Sequence, residues 1–88
     1  MTSHIQQAVN AVILEILAQH GRGGRELKES DSFSKDLGFA SLDVAQLIAT
    51  LEMELGVDPF STGLASIGDV HTVARLYAVY DEALAAAT

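Results

Sequence analysis

Residues 41–56 read SLDVAQLIATLEMELG, and this stretch decides the fold class. Its apolar residues recur at three- and four-residue steps, which is the spacing of one face of an α-helix. Gly56 stands where a left-handed C-terminal cap would end such a helix. The stretch therefore predicts an amphipathic helix from Ser41 to Leu55. Its buried stripe is expected to consist of Val44, Leu47, Ile48, Leu51 and Leu55.

Helices are also predicted before and after this stretch. From Ser3 to Gln19 the apolar residues keep helical spacing, and a Gly-Arg-Gly-Gly run at 21–24 then ends the helix. The sequence Ser66-Ile67-Gly68-Asp69 is typical of a capping box and predicts the start of the last helix. Residues 60–65 leave room for one short helical turn. The chain is thus predicted to be all-α, with three main helices and one short third helix.

A long loop joins the first two main helices. We expect its apolar residues Leu27, Phe33, Leu37 and Phe39 to pin it to the core. Its basic residues could bind an anion, although a hydrated, mobile loop is the better interpretation beside several glycines. These basic residues are Arg22, Arg25, Lys28 and Lys35.

Composition narrows the possible functions. A chain of 88 residues has room for one core, so residues 1–88 are expected to form a single domain. The net charge of −7, with only five Lys and Arg, excludes nucleic-acid binding and suits basic protein partners. No apolar run is long enough to span a bilayer, and we expect a cytoplasmic monomer. Because the chain has no cysteine, any thiol chemistry needs an added cofactor.

The segment that leads into the central helix carries a family resemblance. Asp36-Leu37-Gly38-Phe39-Ala40-Ser41-Leu42-Asp43 resembles the D-L-G-x-D-S-L-D motif of the acyl carrier protein family. The acidic helix that ends at Gly56 resembles the family as well, as do Asp31-Ser32-Phe33 and Ser66-Ile67-Gly68-Asp69, so the resemblance covers most of the chain. It implies a four-helix carrier fold in which the motif serine, Ser41, is esterified by 4'-phosphopantetheine from coenzyme A.

The resemblance also implies a function. The chain would carry acyl, aminoacyl or polyketide intermediates as thioesters on that arm, with no catalytic residues of its own. The pathway would be fatty acid biosynthesis or, as the preferred interpretation, polyketide or nonribosomal-type biosynthesis. The cargo would be sheltered between the central helix and the short helix near residues 61–65. Its partners would be a phosphopantetheinyl transferase and acyl-loading, condensing or tailoring enzymes.

The position of Ser41 supports this assignment independently of the resemblance. A serine at the start of a helix lies beside free amide hydrogens and the positive end of the helix dipole, which stabilise a phosphodiester anion. The alternative is that Ser41 is only the N-cap of the helix, a role that serine often fills. One residue departs from the family motif, because Ala40 stands where the family has Asp. That change bears on which transferase modifies the chain.

A second apolar stripe lies on the opposite face of the central helix. A helix that packs on one side does not need it, so we expect this face to dock partner enzymes, with polar and acidic residues at its edges. The predicted partner-binding residues are Leu42, Asp43, Ala45, Gln46, Ala49, Glu52 and Met53.

Other functional classes find weaker support. His4, His20 and His71 are too scattered for a metal site, and we expect none. The acidic residues Glu52 and Glu54 lie on a predicted surface helix without a sign of perturbed acidity, so an enzyme is not expected. The remaining alternative is a helical interaction module of the same fold that is not phosphopantetheinylated.

Overall fold

The computed structural model describes residues 4–61, 63 and 66–87. It contains three α-helices: α1 is His4–Gln19, α2 is Ser41–Leu55 and α3 is Val73–Ala87. A short 3-10 helix, Ile67–Asp69, precedes α3. Within the described ranges there is no strand, and the one bridge of β type pairs Ser32 with Thr72. The all-α fold class is therefore confirmed, and α2 has the bounds that its periodicity predicts.

Helix α1 lies at the centre of the helix packing. It packs against both α2 and α3, whereas no Cα atom of α2 lies within 8 Å of a Cα atom of α3. The space between α2 and α3 is therefore filled by side chains and by the connecting segments. The buried residues of α1 that face the two helices are Val9, Val12, Ile13, Ile16 and Leu17.

The last helix begins later than its sequence predicts. Ser66 makes no capping hydrogen bond with its side chain, and the chain after it forms only the 3-10 helix. The amide of Phe33 donates to the carbonyl of His71 (2.9 Å), and that of Val73 donates to the carbonyl of Asp31 (3.1 Å). This pairing holds the segment before Val73 out of the helix, so a non-local contact overrides the local capping signal. The side-chain oxygen of Thr72 accepts the N–H of Arg75 (3.3 Å) in the first turn of α3.

The short helical turn predicted at residues 60–65 is described only in part. Phe60, Ser61 and Gly63 lie in a turn, while residues 62, 64 and 65 fall outside the described part of the chain. The carboxylate of Asp58 fixes the turn, because it accepts the amide hydrogens of Phe60 and Ser61, both at 3.1 Å. The short helix that the structure shows is the 3-10 helix at Ile67–Asp69.

The loop before α2 is held by two arginines. Arg22 donates to the carbonyl of Leu37 (3.1 Å), and Arg25 donates to the carbonyl of Asp36 (2.9 Å) and to the Asp31 carboxylate (3.2 Å). Both arginines thus contact the loop while they remain exposed to solvent. Of the four predicted anchors, Phe33, Leu37 and Phe39 are buried, and Leu27 is half-buried.

Among residues 4–61, 63 and 66–87, no helix is both long enough and apolar enough to span a membrane.

Candidate functional site

Ser41 is the first residue of α2 and is exposed to solvent. The N-cap is Ala40, whose backbone is extended (φ −89°, ψ 172°). The interpretation of Ser41 as the N-cap is therefore wrong. Its hydroxyl makes no hydrogen bond with any residue that the structure describes. The side chain has no structural role that a modification at its oxygen would disrupt.

The first turn of α2 is capped by Asp43. One carboxylate oxygen, Oδ2, accepts the backbone N–H of Ala40 (2.9 Å), and the other, Oδ1, lies 2.8 Å from Nε2 of His20. Since the methyl group of Ala40 offers no acceptor in return, only one half of a capping box is present. These two hydrogen bonds, that of Ala40 first, hold the pKa of Asp43 below its ordinary value. Asp43 is thus ionised at neutral pH, and both of its carboxylate oxygens already contact other residues of the protein.

The N-terminus of α2 can accept an anion beside Ser41. The amide hydrogens of Ser41 and Leu42 have no backbone acceptor among the described residues. Together with the positive end of the helix dipole, such free amides stabilise a phosphate oxygen. An exposed hydroxyl beside two free amides is chemically suited to a phosphodiester.

A cleft of about 320 Å³ opens next to Ser41. It lies between the first turns of α2 and the segment around the 3-10 helix, with the Phe33–Phe39 pair as a further wall. Ser34 and His71 add polar groups to a mainly apolar lining. Among the described residues, the segment 67–71 forms the side of the cleft opposite α2. Of the residues 61–65 that were expected to shelter the cargo, 62, 64 and 65 lie outside the described part of the chain. The apolar side chains of the lining belong to Phe33, Phe39, Ala40, Val44, Ala45, Ile67 and Val70.

The predicted docking face of α2 does point to solvent. Leu42 is 80% exposed and Met53 is 87% exposed, and Ala45 and Ala49 are exposed between them. Ile67, which is 50% exposed, borders the cleft from the other side, and no periodicity in the sequence indicated it.

The polar residues of this face differ in their contacts. Glu52 is exposed, whereas Gln46 donates to Oε1 of Gln19 on α1 (3.3 Å). Asp43 is half-buried and contacts His20. Two of the predicted rim residues therefore also join α2 to the end of α1. No local pattern predicts these two contacts, because the contacting residues are 23 and 27 positions apart in the chain.

In the described ranges, no group of three or more His, Asp or Glu residues is placed so that it could hold a metal ion. Of the three histidines, His20 bonds to Asp43 and His71 lines the cleft, while His4 is exposed at the start of α1.

Comparison with known proteins gives two findings. Residues 11–78 match the family model described as the phosphopantetheine attachment site. Acyl carrier proteins of Nitratidesulfovibrio vulgaris, from strain DP4 and strain Hildenborough, are each 37% identical over 54 residues, which is 61% of this chain and 67% of theirs. No solved structure matches the chain.

Proposed function

Because the chain belongs to the acyl carrier protein family, whose members carry 4'-phosphopantetheine and are not enzymes, we propose that Ser41 is the attachment residue. The observation that carries the proposal is the exposed, unengaged hydroxyl at the first position of α2. The serine also lies inside the matched range 11–78. Ser34, which lines the same cleft, lacks the helix N-terminus that favours a phosphodiester, since it lies in the preceding loop.

The residues around Ser41 fit the prosthetic group. The free amides of Ser41 and Leu42 would hold the phosphate, and the cleft beside them has room for part of the arm or its cargo. The group supplies a terminal thiol, which this chain lacks because it has no cysteine. No general base is needed near Ser41, since a phosphopantetheinyl transferase supplies the catalysis. Ser41 thus needs only to be reachable, and its exposure meets that requirement.

Carriers of this family work with a phosphopantetheinyl transferase and with biosynthetic enzymes. We propose that such enzymes dock on the outward face of α2. Leu42 and Met53 form its apolar centre, and Glu52 contributes charge at one edge. The face begins beside Ser41, so a docked enzyme would lie next to the arm. A partner with an apolar depression and basic residues at its rim fits this surface. We propose that the carrier acts as a monomer.

We further propose that the cargo belongs to polyketide or nonribosomal-type biosynthesis rather than to fatty acid biosynthesis. The mixed lining of the cleft supports this, because Ser34 and His71 place polar groups beside apolar walls. A saturated chain would gain nothing from those groups. The mass of the acyl group on carrier isolated from its native cells tests the proposal. An oxygenated or aminoacyl group supports it, and a saturated hydrocarbon chain contradicts it.

Intact mass spectrometry tests the carrier function itself. The protein is incubated with coenzyme A and a broad-specificity phosphopantetheinyl transferase, and we expect its mass to rise by one phosphopantetheine group. An established carrier protein serves as the positive control in a parallel reaction. A chain that stays unmodified while the control is converted would favour the alternative of a helical interaction module without a prosthetic group. Ala40, in place of the family Asp, is the residue that favours that alternative.

A further inference from the structure

Tyr80 on α3 is completely buried, and its hydroxyl has no hydrogen-bond partner among the residues that the structure describes. A buried hydroxyl without a partner destabilises the fold, because it has lost its hydrogen bonds to water. Tyr77, one turn earlier, shows the usual solution: its hydroxyl donates to Oδ1 of Asn10. The hydroxyl of Tyr80 lacks such a partner, and a bound ligand with an acceptor atom would provide one.

The surroundings of Tyr80 make its hydroxyl a donor. Burial, with the charges of Asp58 and Glu52, raises the pKa of Tyr80 to about 12, so the proton stays on the oxygen at neutral pH. The ring of Phe60 packs edge-on against that of Tyr80, with the centroids 6.3 Å apart. The carboxylate of Asp58 is turned to other donors, since it accepts the amide hydrogens of Phe60 and Ser61. The described residues thus leave the Tyr80 hydroxyl without an acceptor, and a bound ligand would supply one.

The position of Tyr80 relates it to the cleft beside Ser41. Val44 on α2 lines that cleft. Ile48 lies one turn further along α2, and Glu52 lies one turn beyond Ile48. The charge of Glu52 contributes to the raised pKa of Tyr80. At a rise of 1.5 Å per residue, Glu52 lies about 12 Å along the helix axis from Val44. No Cα atom of α2 lies within 8 Å of a Cα atom of α3, so a chain that followed α2 from the cleft would pass between side chains. Side chains can rearrange to admit a ligand more easily than packed backbones can.

We propose that the Tyr80 hydroxyl donates a hydrogen bond to an oxygen atom in the distal part of a tethered acyl chain. The chain would enter from the cleft at Ser41 and extend along α2. This protein would then prefer cargo that carries a distal ketone or hydroxyl over a saturated chain of the same length. The inference rests on the proposed function, since the cargo arrives on the Ser41 arm.

Thermal melting of loaded carriers tests the proposal. The transferase attaches pantetheine analogues whose chains are joined by a stable thioether: one long and saturated, one with a distal ketone, and one with the ketone next to the sulfur. The distal ketone should raise the melting temperature above that of the saturated chain by roughly 4 to 8 °C, the shift that one hydrogen bond gives in a domain of this size. The ketone next to the sulfur should give no such rise.

Two variants identify the residue responsible. Tyr80→Phe removes only the unpaired hydroxyl, so it should fold and should lose the difference between the two long chains. Tyr77→Phe is the matched control: it should melt lower, because it loses the bond to Asn10, but should keep the difference. Equal melting of the saturated and distal-ketone forms of the unmutated protein would overturn the proposal, as would a preference that survives Tyr80→Phe. Failure of every analogue to attach would instead refute the carrier function on which the inference rests.

Discussion

His20 and Asp43 join the end of α1 to the first turn of α2, with Nε2 of His20 lying 2.8 Å from Oδ1 of Asp43. The second carboxylate oxygen caps Ala40, the residue immediately before Ser41. The start of α2, and with it the direction in which Ser41 points, is therefore set partly from α1. Asp43, which the second apolar stripe of α2 places at the edge of the predicted docking face, thus also has a structural role.

Acid should release this cap. The hydrogen bonds to Ala40 and His20 hold the pKa of Asp43 below its ordinary value of 3.8. A carboxyl whose pKa is lower in the folded state contributes stability above its unfolded pKa and loses it as the pH falls through the folded value. Asp43→Asn should therefore melt lower than the unmutated protein at neutral pH, and the gap should close below about pH 4. Melting temperatures measured across this range check the prediction, and a gap that is independent of pH would contradict it.

Position 38 requires a glycine because of its backbone conformation and because of the neighbouring side chain of Arg22. The φ of Gly38, +67°, is unfavourable for other residues, and a Cβ atom there would collide with the guanidinium of Arg22. That guanidinium donates to the carbonyl of Leu37. Gly38→Ala should thus lower the free energy of unfolding by more than the roughly 1 to 2 kcal/mol of the left-handed conformation alone.

Gly56→Ala is the matched control for this substitution. Gly56 has a similar φ of +73°, but no atom lies within 4 Å of the position of its Cβ. Urea denaturation should show a smaller loss for Gly56→Ala than for Gly38→Ala. Equal losses would mean that Arg22 moves aside without cost.

Ala40→Asp should change both stability and modification. An Asp at the N-cap can accept an amide hydrogen in the first turn, which Ala cannot, so the free energy of unfolding should rise by about 0.5 to 2 kcal/mol. The substitution also restores the family motif, and we expect faster modification by a transferase that prefers D-S-L. Urea denaturation and a time course of intact mass measure the two effects. A more stable variant with an unchanged or slower modification rate would show that Ala40 is neutral or suited to a different transferase.

The docking face and the core face of α2 should respond oppositely to charge. Met53 is 87% exposed, whereas Leu51 is fully buried. Met53→Glu should leave the melting temperature nearly unchanged and weaken cargo transfer to or from partner enzymes. Leu51→Glu should unfold the domain, because it buries an unpaired charge. If Met53→Glu transfers cargo at the normal rate, the proposed docking face is wrong.

The sequence predicted those parts of the structure that depend on local periodicity. The bounds of α2 and the exposure of Leu42 and Met53 follow from the spacing of residues around one helix. The start of α3 could not be predicted in this way. It depends on the hydrogen bonds that residues 71–73 make with residues 31–33, about forty positions away.

The candidate site shows the same division. Ser41 was found from its motif, and its place at the start of a helix followed from periodicity. The alternative that Ser41 is the N-cap placed the cap one residue too late, because serine is a strong capping residue and alanine a poor one. The contact of His20 with Asp43 had no local signal. The unpaired hydroxyl of Tyr80 was also invisible, since both tyrosines fit the apolar spacing of α3.

The central claim is that Ser41 carries the phosphopantetheine arm, and intact mass of two serine variants tests it most directly. Ser34 lines the same cleft and is exposed, so Ser34→Ala is the matched control for Ser41→Ala. Neither variant removes a cap of α2, and circular dichroism should show nearly unchanged helix content in both. With coenzyme A and the transferase, Ser34→Ala should gain one phosphopantetheine and Ser41→Ala should gain none. Full modification of folded Ser41→Ala would contradict the account.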